Sequence, residues 1–156
     1  MVNLEEILSL LKEKRELLQE FENATIQMIM CDSEELHVFV KKRSDIIEKV
    51  DELDKNIEKC LAGCDNEEQL RKILGDKWED DIPEWADEIY NELKNIKAVL
   101  SRIGESDVQA SSRLLLEKEK ILEHIKDANG KSSAKATKFY ASSGKEREKN
   151  ISFGNA

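Results

Sequence analysis

Three cysteines, two histidines and 34 carboxylates are the residues with chemistry to offer in this chain of 156. Cys60 and Cys64 stand four apart, so on a helix they would share one face, as two metal ligands must. A structural zinc site takes four ligands, and the remaining candidates, Cys31, His37 and His124, stand at no partner spacing. In a helical hairpin that turns near residue 31, Cys31 lies at the end opposite Cys60. The thiols therefore read as apolar contacts in a core or interface, the histidines as surface or seam residues, and no metal or other cofactor is expected.

Carboxylates this abundant fall at helical spacing by chance, so their pairs carry no information about acid/base catalysis, which needs a pocket that drives two pKa values apart. Gly130-Lys131-Ser132 is a fragment of a phosphate loop, but Ile125 occupies the position of its first glycine and no strand precedes it. An enzyme is not the expected reading. The acids Asp76, Glu79, Asp80 and Asp81 read as a solvated loop, or as a dock for a basic partner surface. Trp78 and Trp85 flank that loop, either covering the end of a helical hairpin or anchoring an interface.

The elements that hold these residues follow from composition. With 38% charged residues, one proline and six glycines, there is little material for turns, and 5% aromatics suit a narrow seam between helices. An all-α, elongated molecule is expected. Leu4, Leu11, Leu18 and Thr25 form one heptad column and Ile7, Lys14, Phe21 and Met28 a second, which predicts a helix over about 3–30. Asp32 followed by Glu35 resembles an N-cap with its reciprocal carboxylate, opening a second helix over about 33–62 that ends at Gly63. The short connection makes the two an antiparallel, coiled-coil-like hairpin.

Residues 63–82 form an acidic connector holding at most a short helix near Glu67 to Leu74. Pro83 suits the first turn of a long third helix, about 83–128, with Glu84, Asp87 and Glu88 at its positive dipole end. Its seam thins over the polar stretch 104–112, where Gly104 costs about 1 kcal/mol relative to Ala. Either the helix bends there or that stretch faces something polar. Asn129-Gly130 reads as a helix stop, making 1–129 a helical domain and 130–156 a disordered tail whose spare apolar anchors are Phe139, Tyr140, Ile151 and Phe153.

The net charge of −9 is uneven: the tail holds six Lys/Arg against two Glu, a local +4, which leaves −13 upstream. An acidic body argues against nucleic acid as the main partner. No apolar run long enough to span a bilayer and no secretory start stand in the sequence, and three cysteines are odd and sparse, so a cytoplasmic protein without a membrane span is expected.

The layout resembles the FlgN family of flagellar type III export chaperones over nearly the whole chain. The turn Ile29-Met30-Cys31-Asp32-Ser33-Glu34-Glu35-Leu36, leading into Lys41-Lys42-Arg43-Ser44-Asp45-Ile46-Ile47-Glu48-Lys49-Val50, is similar to that family's second segment. The polar interruption 105–112 followed by Leu114-Leu115-Leu116, and the tail Phe139-Tyr140-Ala141-Ser142-Ser143-Gly144-Lys145 with Ile151-Ser152-Phe153 and Ala156, resemble its third helix and C-terminal end. The resemblance implies a chaperone that binds hook–filament junction proteins, keeps them unassembled and delivers them to the export apparatus. It implies that Leu114, Leu115, Ile121, Leu122 and Ile125 take an amphipathic client helix and that Tyr140 docks at the export gate. Two other readings fit the same helices: a coiled-coil structural or scaffold protein that homo-oligomerises, and a filament-cap-type export chaperone.

Overall fold

The computed structural model describes residues 4–129, and among them the chain is all-α. Helix α1 runs Leu4–Met30, α2 Leu36–Leu61, the short α3 Glu67–Leu74 and α4 Asp87–Asn129, which a single 3₁₀ turn over Glu84–Ala86 precedes. Both heptad columns of α1 are inward: Ile7, Leu11, Leu18, Phe21, Thr25 and Met28 are buried. The buried hydroxyl of Thr25 donates to the Phe21 carbonyl at 2.8 Å, so this buried polar group is satisfied within its own helix. On α2 the matching columns are Leu36, Arg43, Val50, Ile57 and Phe39, Ile46, Leu53, Cys60, and Leu36, Ile46, Leu53 and Ile57 are buried.

The connection of α1 to α2 differs from the expected cap. The second helix opens at Leu36, one turn later than expected; the Glu35 N–H donates to the Asp32 backbone carbonyl at 3.0 Å, and Glu35, in the cap position, makes no side-chain cap bond. A backbone turn closes the hairpin where a capping box was expected. At the other end Gly63 adopts φ 79°, the left-handed conformation in which a helix commonly stops. The end of α3 uses the same device with a different residue. Asp76, not Gly75, takes the positive φ, 59°, while Lys77 N–H reaches the Lys72 carbonyl at 2.8 Å and Asp76 N–H the Ile73 carbonyl at 3.2 Å. Pro83, expected inside the first turn of the last helix, instead precedes the 3₁₀ turn and accepts the Ala86 N–H at 2.9 Å.

Residues up to Arg113 form one compact unit and those from Leu114 a second. In the first unit the backbones of α1 and α2 approach closely, while α4 meets them through its side chains. Its partners on α1 rise in step along the chain, Arg15 with Glu92, Glu22 with Arg102, Met28 and Ile29 with Arg113, so α4 runs parallel to α1.

Two apolar clusters result. At the base, where the connector joins the hairpin to α4, Ile7, Leu11, Leu18, Ile57, Leu61, Leu70, Ile89, Ile96 and Val99 are buried together. At the tip, beside the α1–α2 turn, only Met28, Leu36 and Ala110 are. Gly130 and the tail, with Phe139, Tyr140, Ile151 and Phe153, lie outside the described residues.

Candidate functional site

The second unit, described over residues 114–129, is a continuation of α4 and carries the candidate binding face. Leu114, Ile121 and Ile125 fall at i, i+7 and i+11, with Leu115 and Leu122 one position round the helix, so the five share a stripe along one side. All five are exposed, from 36% at Leu114 to 61% at Ile121. Leu116, outside the stripe, is exposed too, at 56%. Apolar side chains at this spacing and this exposure form the surface an amphipathic helix can bury, with little polar chemistry to offer in exchange. Lys120 lies 3.6 Å from Glu117 beside the stripe, and His124 is exposed. Tyr140, the expected gate-docking residue, is outside the described residues.

The thiols are kept apart by the fold. Cys60 and Cys64 are half-buried against the base cluster, Cys31 against the tip cluster, and all three are free. Burial pushes the Cys60 thiol above its ordinary pKa, and the Glu6 carboxylate beside it adds to the effect. Such a thiol is a poor nucleophile at neutral pH. Among the described residues no three His, Cys, Asp or Glu side chains gather as a metal site would need, and no helix is long and apolar enough to cross a membrane. Trp78 is half-buried and donates its indole N–H to the Asp81 carbonyl at 3.1 Å, closing the acidic loop on itself; Trp85 is 37% exposed.

Within the polar stretch of α4, Asp107 meets a polar partner, while Ala110 is buried against Met28 and Leu36. The Arg43 guanidinium sits 4.5 Å over the Phe21 ring, reaches the Met28 sulfur at 3.1 Å and donates to Asp107 Oδ1 at 2.8 Å. Arg113 donates to the Met28 and Ile29 carbonyls at 3.3 and 2.8 Å. Those carbonyls belong to the orphan acceptors at the end of α1, a helix with no basic residue in its last turn, so α4 supplies the cation its negative end favours. Sequence reasoning passed over Arg43, Asp107 and Arg113. A trace was present: Arg43 interrupts a heptad column of α2, and Arg113 continues the α4 column of Glu92, Val99 and Ser106. Glu92, in that column and 5% exposed, is paired with Arg15. Among the described residues no buried side-chain nitrogen or oxygen is left without a partner.

Comparison with protein-family models, with curated proteins and with solved structures finds no match in any of the three.

Proposed function

We propose that this protein is a protein-binding chaperone of the FlgN kind, which takes an amphipathic helix of a hook–filament junction protein on the α4 face of Leu114, Leu115, Ile121, Leu122 and Ile125 and delivers the client to the export apparatus. The observation that carries the reading is the exposure of those five side chains on one helical stripe. Two of them, 36 to 61% exposed before binding, would contribute roughly 1.5 to 3 kcal/mol on burial against a client, before the costs of association, so a stable complex draws on most of the stripe. The proposed role needs no covalent chemistry, and cytoplasmic residence is part of the proposal.

The test is titration of full-length protein with purified junction protein from a flagellated host, using wild type and Leu115→Asp with Leu122→Asp. Binding by wild type and its loss in the double variant, at unchanged helical circular dichroism, is the expected result. Equal binding by both proteins removes the face from the site. No binding by folded wild type ends the chaperone reading, and light scattering that finds stable dimers dissociated by the same two substitutions replaces it with the self-associating scaffold.

A further inference from the structure

Gly104 stands in the interior of α4, where glycine weakens a helix most, and a Cβ added there would meet nothing within 4 Å. No close approach calls for the missing side chain. The glycine instead marks the boundary between two kinds of contact. Upstream, α4 is fixed to the base by Ile89, Ile96 and Val99, all buried, with Ile103 packed against the same cluster. Downstream, the only residue of the first unit's α4 segment that is buried is Ala110, a side chain of one carbon against Met28 and Leu36.

Two further downstream attachments are polar: Arg43 to Asp107, whose side chain is 44% exposed, and Arg113 to the last carbonyls of α1. These groups rehydrate when separated, so parting them costs little net free energy, whereas parting the upstream segment exposes isoleucine and valine.

We propose that α4 hinges at Gly104, with residues 105–113 lifting from the hairpin tip as a unit and the Arg43–Asp107 and Arg113–carbonyl bonds acting as the latch. Opening leaves the base cluster intact and uncovers Met28 and Leu36, an apolar pair flanked by Ile29 and Phe39. This device stands apart from the chaperone reading and does not depend on it. Helices bend at glycine, and sub-global opening follows the region with least buried apolar surface.

The chain carries its own reporters: Cys31 packs against the tip cluster, Cys60 and Cys64 against the base. Native-state alkylation, read by mass spectrometry at each cysteine, is compared with amide exchange over residues 105–113 in wild type, Gly104→Ala and Asp107→Ala. The added methyl enters open space, so Gly104→Ala folds, and it is expected to slow Cys31 labelling relative to Cys60 by about fivefold. Asp107→Ala is expected to speed Cys31 labelling and exchange over 105–113 severalfold, with Cys60 and Cys64 unchanged. Protection of only the amides beside residue 104 by Gly104→Ala, with Cys31 labelling unmoved, means that the glycine merely loosens its own turn and overturns the hinge. Acceleration of all three thiols together by Asp107→Ala overturns it as well.

Discussion

Along α4 one spacing of apolar residues meets two fates. Between Asp87 and Arg113 the residues Ile89, Ile96, Val99 and Ala110 are buried, while Leu114, Leu115, Ile121, Leu122 and Ile125 are exposed. The column Leu93, Leu100, Asp107, Leu114, Ile121 runs through both halves with Leu100 already 47% exposed, while the core column Ile89, Ile96, Ile103, Ala110 continues downstream as Glu117 and His124. A heptad pattern states that a helix has an apolar face. Whether this chain covers that face is a separate matter.

The largest expected effect separates those halves directly. Ile96→Ala removes a side chain that is 5% exposed in the base cluster and is expected to cost about 3 kcal/mol, through lost transfer free energy and the cavity left behind. Leu122→Ala, at a site 37% exposed, is expected to stay within about 0.5 kcal/mol of wild type. Urea denaturation of the two variants measures the contrast. Equal losses would make the downstream stripe core, and the comparison would collapse.

A second contrast uses charge. Arg15→Ala strands Glu92, whose side chain is 7% exposed, between α1 and α4, and is expected to cost about 2 kcal/mol; the partial exposure of Arg15, 28%, keeps this below a fully buried pair. Lys120→Ala, on the downstream half, touches a pair 3.6 Å apart with a 69% exposed lysine and should leave stability almost unmoved. Urea midpoints of the two variants decide it: a loss at Lys120 as large as that at Arg15 would mean that charge at the two positions is equally important to the fold.

The sequence was most legible where periodicity is long and terminators are strong. The columns of α1 are the buried residues almost without exception, the short helix falls on Glu67–Leu74, and Gly63 stops α2. The misplacements are local: turn geometry at Asp32 and Pro83 depends on which backbone groups find each other, and several cappings compete within a residue or two. The latch left only a trace, for a different reason. Arg43 and Arg113 look like surface charges on their own helices, and only the packing of α4 beside both helices of the hairpin brings Arg43 of α2 to Asp107 and Arg113 to the α1 carbonyls of Met28 and Ile29. Of the candidate binding face, the stripe could be read, while its exposure left only the turn of the core column to Glu117 and His124 as a trace.

The smallest expected effect concerns how the base is closed. Arg71 on α3 reaches both oxygens of Glu58 on α2, at 3.0 and 2.7 Å, and Glu67 at 2.9 Å. These hydrogen bonds, with the guanidinium charge, hold the Glu58 carboxyl below its ordinary pKa, although partial burial acts the other way. A carboxyl with a lowered folded-state pKa contributes stability that is complete above the ordinary carboxylate range and is lost as pH falls through the folded value. Wild type should therefore melt slightly higher than Glu58→Gln at neutral pH, and the gap should close in acid while staying flat from neutral to mildly alkaline pH. The pair is solvent-exposed, so added salt should narrow the gap too. A gap that persists in acid would assign the difference to packing of the Glu58 stem. The apolar seat of α3 on Leu70 and Ile73 would then hold the base closed without help from charge.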